Sequence, residues 1–287
     1  MERAHRKRGL KVELIELKTT GDRDRASALK TFGGAGVFVK ELEQALLDGR
    51  VDFAVHSLKD LPTKQPRGLT LAAVSRREDV RDVAVTRGGK RLAELPEGAV
   101  IGSGSPRRRA QLALKFPHLR FAEIRGNVET RLQKVADGAY AGTILARAGL
   151  KRLGRRERDA EVLSLAAMLP APGQGALGIE CRSSDRATRE FLAVLHDADS
   201  AACVAAERAC LAALGGGCHL PLGACGLIDR KTGELTLDAV LALPDGTCAA
   251  RASVRGRARD ARKLGRSCAQ AIKRSQEGRE VLRRLES

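Results

Sequence analysis

Cys218 ends a run of three glycines, in Leu214-Gly215-Gly216-Gly217-Cys218. Glycine has no Cβ and adopts positive φ readily, so the run leaves room for a bulky group to approach the sulfur. A cysteine that only filled a core would not need this clearance. The pattern favours a functional thiol and leaves open an ordinary half-buried cysteine.

The segment 102–109, Gly-Ser-Gly-Ser-Pro-Arg-Arg-Arg, combines the parts of an anion site. Pro106 suits the first position of a helix, and Ser105 is then the expected N-cap. The hydroxyls of Ser103 and Ser105 and the turn at Gly104 would lie at the positive end of the helix dipole. Arg107 and Arg108 add donors that match planar carboxylates. The alternative is a capped helix with solvated arginines.

The same arrangement recurs twice along the chain. Arg125 ends a predicted strand, Gly126-Asn127 makes the turn and cap, and Arg131 lies in the first helical turn. A weaker copy runs from a third strand to Arg152. Strand carboxyl ends converge on one edge of an α/β sheet, where ligands bind. We therefore expect one polyanion site lined by Arg107, Arg108, Arg125, Arg131 and Arg152.

A carboxylate follows another predicted strand, in His56-Ser57-Leu58-Lys59-Asp60. Facing an arginine-lined cleft, Asp60 would stay ionised and could stabilise a developing cation or transfer protons. The alternative is an aspartate that caps the turn before Leu61-Pro62. His56 and His219 have no readable partner spacing, and we expect both to be structural.

Charge and aromatic content narrow the class of partner. The 287-residue chain carries 52 Lys+Arg against 35 Asp+Glu, a net charge of +17, which indicates an anionic partner or a solvated basic surface. Aromatic residues make up only 2%, so stacking platforms for single-stranded nucleic acid are missing. Carboxylate or phosphate ligands are favoured, and no nucleic-acid partner is expected.

Cysteine spacing and the amino terminus bear on compartment and metal content. Seven cysteines include no Cys-x-x-Cys pair, so we expect reduced thiols and no metal site. The charged start, residues 1–8, has no apolar segment behind it, and no apolar run reaches the ~18 residues of a membrane span. These features predict a cytoplasmic protein without a membrane partner.

The order of predicted elements favours an α/β protein with largely parallel sheets and a small α+β domain at its end. Residues 169–175 interrupt the pattern and are interpreted as an interdomain crossing. The predicted strands are 12–17, 51–56, 83–85, 99–101, 119–124, 141–146, 223–227, 235–243 and 249–254. The predicted helices are 38–47, 107–115, 128–137, 148–153, 200–214 and about 260–282.

Taken together, these segments resemble the porphobilinogen deaminase, or hydroxymethylbilane synthase, family. The resemblance spans nearly the whole chain in order and rests on these stretches: 38–43 (FVKELE), 55–62 (VHSLKDLP), 102–109, 125–128 (RGNV), 145–153, 172–176 (PGQGA), 207–209 (ERA) and 215–218.

The resemblance implies two domains like type II periplasmic binding proteins and a small C-terminal domain. We expect domain 1 at 1–76 and 174–194, domain 2 at 77–173, and the C-terminal domain at 195–287. It also implies a dipyrromethane cofactor joined by a thioether to Cys218. Four porphobilinogen molecules are added to this primer with loss of ammonia, and water releases the linear tetrapyrrole. A monomer is implied as well.

The resemblance assigns roles to individual residues. Asp60 matches the catalytic carboxylate, which would stabilise the cation formed as ammonia leaves, and Gly217 gives the primer room. Each pyrrole carries an acetate and a propionate, so a growing chain needs many fixed cations. The residues that match cofactor- or substrate-binding positions are Ser57, Lys59, Ser103, Gly104, Ser105, Arg107, Arg108, Arg125, Gly126, Arg131, Arg152 and Gln174.

Two departures from the family pattern stand out. Nothing before Leu10 matches the family's first strand and helix with its Arg-x-Ser-Pro-Leu-Ala-like motif. We expect either a start site assigned too late or a domain 1 that lacks part of its beginning. The segment 32–36 has Ala35 where the family commonly has lysine, a loss that Lys30 or Arg25 could offset.

Two other functions remain open from the sequence. A non-catalytic anion-binding protein of the periplasmic type would bind its ligand reversibly, without a covalent adduct. A nucleic-acid binder would lose affinity steeply as salt rises.

Overall fold

The computed structural model describes residues 11–15, 35–155, 160–217 and 219–286. These residues form two compact units. The first unit contains the described residues up to 77 together with 176–201, and the second contains 78–175 together with those from 202 onward.

The first unit is a three-stranded sheet with a helix on each face. Its elements are α1 (Ala35–Leu47), β1 (Phe53–Ser57), β2 (Leu69–Val74), β8 (Leu177–Arg182) and α5 (Arg186–Leu192). The strand order is β1-β8-β2, and both pairs are antiparallel. Strand alternation puts Ala54 and Leu69 on the face that packs against Leu46 of α1, while Ile179 and Cys181 face Leu192 of α5.

The middle sheet, in the second unit, has five strands in the order β5-β4-β6-β3-β7. They are β3 (Asp82–Thr86), β4 (Val100–Gly102), β5 (Arg120–Ala122), β6 (Gly142–Ala146) and β7 (Glu161–Val162). β4 pairs parallel with β5 and with β6, whereas β3 pairs antiparallel with β6 and with β7. The carboxyl ends of β4, β5 and β6 therefore lie at one edge of the sheet.

Helices cover both faces of the middle sheet. α2 (Pro106–Lys115) follows β4, α3 (Val128–Ala136) follows β5, and α4 (Arg147–Arg152) follows β6. Leu112 and Phe116 pack with Ala84, Ile101 and Ile144 on one face. Val83 and Leu145 pack with Leu150 of α4 and Leu132 of α3 on the other face. The parallel strands thus alternate with helices, as the sequence predicts.

The last part of the second unit is an antiparallel sheet packed on helices. β9 (Leu222–Asp229), β10 (Glu234–Ala242) and β11 (Ala249–Arg257) are arranged in the order β11-β10-β9. One face covers α6 (Ala198–Ala213), α7 (Ala261–Arg274) and α8 (Gln276–Glu286), with Leu235, Leu237 and Leu241 in the core. On the other face, Cys225 and Val240 pack against Ala110 of α2.

The single helix predicted over 260–282 is in fact two helices. The chain bends at Ser275, whose backbone is extended at φ −68° and ψ 153°. The Ser275 hydroxyl accepts a hydrogen bond from the N–H of Gly278 at 3.0 Å, as an N-cap does. A serine side chain competes in this way with a continuing helix, so the long basic segment forms two helices and not the single one predicted.

Some predicted elements are absent from the described residues, and some observed elements were not predicted. The predicted strand at 12–17 is absent over residues 11–15, where Leu14 and Ile15 are exposed; residues 16–17 lie outside the described part. A strand needs a neighbour to satisfy its backbone, and no described strand pairs with this segment. Strands β2, β7 and β8 and helix α5 were not predicted. Among the described strands, parallel pairing is confined to β4, β5 and β6.

The α/β fold class with a small α+β part at the end is confirmed. None of the described helices is long and apolar enough to cross a membrane.

Candidate active site

The turn between β4 and α2 lies at the edge where the parallel strands end. Ser103 is buried, its N–H donates to the carbonyl of Ala122, and its hydroxyl accepts from the N–H of Ser105 at 3.3 Å. Ser105 occupies the predicted N-cap position, but its own side chain makes no capping hydrogen bond. A Cβ on Gly102 would collide with Ile124, so the tight approach of β4 to the neighbouring turn requires glycine.

Arg107 and Arg108 are buried rather than solvated, with only 4% and 7% of their surface exposed. Asp82, at the start of β3, pairs with both: Oδ2 lies 2.9 Å from Arg107 Nη1, and Oδ1 accepts from Arg108 Nη2 at 2.7 Å. Arg107 Nη1 also donates to the carbonyl of Leu169, and Arg108 Nη1 to that of Ile144. The two guanidinium groups are thereby fixed in orientation.

The arginine pair retains donors that nothing in the described part of the chain satisfies. The Nε atoms of Arg107 and Arg108 are both buried without a hydrogen-bond partner there. An unmade hydrogen bond in a buried place costs about 1–3 kcal/mol, so such donors in a native protein call for a ligand or an ordered water. This observation fits the carboxylate-binding role expected of the pair.

Two glutamines complete the surroundings of the pair. Gln174 donates from Nε2 to Asp82 Oδ1 at 3.0 Å and to the carbonyl of Val80 at 2.7 Å. The Gln111 side chain makes two hydrogen bonds to the backbone of Leu169: its Oε1 accepts the N–H at 2.7 Å, and its Nε2 donates to the carbonyl at 3.0 Å. The loop that contains Gln174 is thus tied to the same carboxylate as the two arginines.

The charge of Arg108 affects the pKa of a third arginine, Arg131. Burial, together with the charge of Arg108, lowers the pKa of Arg131 below its ordinary value. Burial likewise lowers the pKa of Arg107, against the attraction of Asp82 and with a further lowering by Arg108. Burial is the largest cause of both pKa changes, and the positive charge of Arg108 contributes to both.

The turn after β5 orients Arg131 locally. Arg131 Nε donates to the carbonyl of Gly126 at 2.8 Å, and Asn127 caps α3 by accepting the N–H of Thr130, as predicted. Gly126 has φ +117°, which only glycine adopts readily. Arg125 is exposed and pairs with Glu123 at 2.8 Å, and this contact lowers the pKa of Glu123.

Arg152 lies at the end of α4, apart from the arginine pair. It is exposed and donates from Nη2 to the carbonyl of Gly175 at 2.8 Å, beside Gln174. A neighbouring cavity of about 710 Å³ is lined by Arg147, Lys151 and Arg155. These three cations pair with Asp79, Glu78 and Glu129 respectively, so the cavity offers an anion less uncompensated charge than the arginine pair does.

Ser57, Lys59 and Asp60 lie in the first unit, on the turn that follows β1. Residues Leu58–Asp60 form one turn of 3₁₀ helix, with Ser57 exposed and Lys59 and Asp60 half-buried. Leu58 is fully buried and donates its N–H to the carbonyl of Ala176. The turn is therefore anchored by Leu58 and presents the polar side chains on either side of it.

His56 is buried just before this turn, in line with a structural role. Its Nε2 lies 3.3 Å from Glu180 Oε2, and both side chains are almost fully buried. Burial first, and Glu180 second, raise the pKa of the nearby Glu43, while His56 and Lys40 act in the opposite direction. A buried group of two carboxylates and one imidazole thus supports β1 from the α1 side.

Cys218 lies outside the described residues, as do Lys30 and Arg25, and the side chain of Ala35 is not described. The glycine run before Cys218 is visible: Gly215 has φ +77°, and neither it nor Gly217 has an atom within 4 Å of a Cβ position. The six described cysteines are free; Cys248 is partly exposed, and the buried ones are Cys181, Cys203, Cys210, Cys225 and Cys268. Burial raises the pKa of Cys181 and disfavours its thiolate.

Sequence reasoning assigned no role to Asp82 and none to Glu207. Glu207 is fully buried, and its two oxygens accept the N–H groups of Gly173 and Gly226. The available signal was an acidic residue inside an otherwise apolar segment, Asp82 before Val-Ala-Val and Glu207 among alanines. Carboxylates in such places are seldom buried unless paired. No group of described residues has the composition of a metal site.

Two family models match the chain. Residues 1–190 match "Porphobilinogen deaminase, dipyromethane cofactor binding domain", and residues 201–274 match "Porphobilinogen deaminase, C-terminal domain". The chain belongs to the porphobilinogen deaminase family. The resemblance read from the motifs is thereby confirmed.

Curated relatives agree with the family models. The chain is 52% identical to the porphobilinogen deaminase of Acidothermus cellulolyticus over 93% of its own length and 81% of the relative's. It is 48% identical to that of Sorangium cellulosum (92% and 89%) and 49% identical to that of Chromobacterium violaceum (92% and 84%). The protein is accordingly a hydroxymethylbilane synthase, a transferase of tetrapyrrole biosynthesis whose cofactor is dipyrromethane.

Similarity to solved structures is distant. The periplasmic VFT2 domain of Bordetella pertussis BvgS has a TM-score of 0.38 and 16% identity, over 67% of this chain and 72% of that one. An arginine-specific periplasmic binding protein of Salmonella typhimurium has a TM-score of 0.34 and 18% identity, over 56% and 71%. At TM-scores below 0.5 these similarities carry no further conclusion.

Proposed function

We propose that the family reaction is carried in this chain by Asp60 as the catalytic carboxylate, by Cys218 as the point of cofactor attachment, and by the arginines of the second unit as carboxylate receptors. The observation that carries the proposal is the buried pair Arg107 and Arg108, whose Nε donors have no partner in the described residues. Porphobilinogen and the cofactor are pyrroles with acetate and propionate groups, which suit such donors.

The residues present fit the cofactor. Asp82 orients Arg107 and Arg108. The charge of Arg108 contributes to the lowered pKa of Arg131. The turn at Ser103 and Ser105 adds polar groups. We assign the cofactor and substrate carboxylates to these residues, together with Ser57, Lys59, Gly104, Arg125, Gly126, Arg152 and Gln174. When bound, the dipyrromethane supplies the pyrrole carbon to which the first substrate molecule is joined.

Asp60 has the position and chemistry for the remaining role. It is half-buried at the end of an anchored turn, and an ionised carboxylate there can stabilise the positive charge that develops as ammonia leaves. The same carboxylate can hold or pass a proton during the step. Cys218 would hold the cofactor through its sulfur, and Gly217 leaves space beside it.

The remaining parts of the proposal concern organisation and compartment. We assign three domains, at 1–76 with 174–194, at 77–173 and at 195–287, and a monomeric protein that acts in the cytoplasm. Free cysteines throughout the described part support a reducing compartment. The middle and C-terminal sheets each have a core cluster of their own, which supports assigning them to separate domains.

Intact mass measurement with peptide mapping tests the attachment. We expect a mass excess of two linked pyrrole units on the Cys218 peptide of the wild-type chain, and none in Cys218→Ser. Cys248→Ser is the matched control, since Cys248 is the partly exposed thiol among the described cysteines and should leave the adduct in place. An unmodified wild-type chain after incubation with preformed hydroxymethylbilane, or a fully active Cys218→Ser, would refute the proposal.

A further inference from the structure

Asp82 forms ion pairs with both arginines of the site, Arg107 and Arg108. It is 1% exposed and starts β3, and strand alternation puts it on the same face as Ala84, the face covered by α2. Arg107 and Arg108 lie in the first turn of that helix. The carboxylate therefore contacts the first turn of α2, although Asp82 precedes the two arginines by 25 and 26 positions in the chain.

The charges at this place do not cancel. One carboxylate faces two guanidinium groups, at 2.9 Å and 2.7 Å, so the three side chains carry a net charge of about +1. Burying an uncompensated charge is costly unless a counterion arrives.

The hydrogen bonds of Arg107 and Arg108 use some of their N–H donors and leave others unpaired within the described residues. Asp82 and the carbonyls of Leu169 and Ile144 occupy terminal nitrogens of the two guanidinium groups. The Nε atoms of both arginines remain without a partner in the described residues. Without Asp82, each guanidinium could rotate and satisfy its Nε elsewhere. The carboxylate thus determines which edge of each arginine is left for a ligand.

We infer that Asp82 is the positioning residue of the carboxylate-binding site, fixing Arg107 and Arg108 so that their unpaired edges accept a carboxylate of the pyrrole ligand. The inference rests on the proposed function. Gln174 contributes by donating to Asp82 Oδ1, which links the 172–176 loop to the same carboxylate. Asp82 itself acts through the arginines and has no role in the chemical step.

The test uses Asp82→Asn in the full chain, with Asp79→Asn as the matched control. Asp79 also pairs with two arginines, Arg81 and Arg147, which are not assigned to the site. We expect Asp82→Asn to raise KM for porphobilinogen by at least about 30-fold, with kcat per adduct-carrying chain changed much less. We also expect it to lower the share of chains that carry the two-pyrrole mass. Asp79→Asn should stay within about twofold of wild type.

A second variant covers the case in which Asp82→Asn does not fold. Asp82→Glu keeps the charge and lengthens the side chain by one methylene, so it should fold and yet misplace both guanidinium groups. We expect a raised KM with kcat nearly intact. Wild-type KM and full adduct in either folded variant would overturn the inference, as would an equal effect of Asp79→Asn. Absence of adduct and activity in the wild-type chain would instead refute the proposed function.

Discussion

Glu207 accepts a hydrogen bond from the backbone N–H of Gly173 at 2.7 Å while its side chain is fully buried. Its other oxygen accepts the N–H of Gly226 at the same distance. One carboxylate on α6 thereby joins the loop beside Gln174 to strand β9. The loop beside Gln174 and strand β9 are thereby fixed relative to one another within the second unit.

Replacing Glu207 by glutamine should destabilise the second unit. The amide puts an NH₂ group against one of the two N–H donors and leaves that donor buried without an acceptor. We expect a loss of about 2 kcal/mol in the free energy of unfolding, measured by denaturant titration. Glu190→Gln is the control, because its pair with Arg186 is exposed and should change stability by less than about 1 kcal/mol. Equal stability of the two variants would contradict the role of Glu207.

Gly178→Ala should disturb the turn that carries Asp60. A Cβ at Gly178 would collide with the side chains of Leu58 and Leu71, and Leu58 anchors that turn. Overpacking of this kind costs about 1–3 kcal/mol, and we expect kcat to fall along with the melting temperature. Gly149→Ala is the control: it lies in α4 with no atom within 4 Å of its Cβ position, so it should be neutral or slightly stabilising.

Asp60→Asn should keep the covalent cofactor and lose turnover. The amide preserves the size of the side chain but cannot stabilise a cation or accept the proton, so we expect kcat to fall by roughly a thousandfold. Intact mass and single-turnover measurements separate the two readouts. Asp48→Asn, on the exposed turn after α1, should retain wild-type kcat. Normal turnover in Asp60→Asn would show that another group performs the step.

The dependence of stability on pH should show the signature of Asp79. Hydrogen bonding to Arg81 is the largest cause that lowers the pKa of Asp79 from 3.8 to about 2, with Arg147 adding to it. Because the folded-state pKa lies below the unfolded one, the contribution is present above pH 3.8 and is lost as pH falls towards 2. Melting curves of Asp79→Asn should therefore converge with those of wild type as pH approaches 2. A constant gap between pH 6 and pH 2 would refute this.

The contribution of Glu43 to stability should change with pH in the opposite direction to that of Asp79. Burial raises its pKa above 4.5, so the stabilising protonated form is present below pH 4.5 and is lost as pH rises through the raised pKa. Glu43→Gln keeps a neutral side chain at every pH. We therefore expect the variant to gain stability relative to wild type between pH 4.5 and pH 7 in the same melting series. A difference that does not change with pH would contradict the burial effect.

The sequence by itself determined the family to which the chain belongs and the turns and helix starts around the site. Pro106 after Gly-Ser-Gly-Ser placed the start of α2, Asn127 capped α3, and Gly49, at φ +71°, follows the end of α1. Caps, glycine turns and proline act on neighbours within a few residues, so they can be read from spacing alone. The arginines at the ends of β4 and β5 were predicted for the same reason.

Only the tertiary structure decided which groups those arginines meet. Asp82 contacts Arg107 and Arg108 from β3, two strands away from the strand β4 that precedes their helix. Glu207 reaches Gly173 from a helix more than 30 residues away in the chain. The spacing of residues predicted that the guanidinium groups of Arg107 and Arg108 face solvent or a ligand. In the structure they are buried, and both pair with the carboxylate of Asp82. Burial depends on how distant segments pack, and a linear pattern of residues carries no record of the contacts that packing creates.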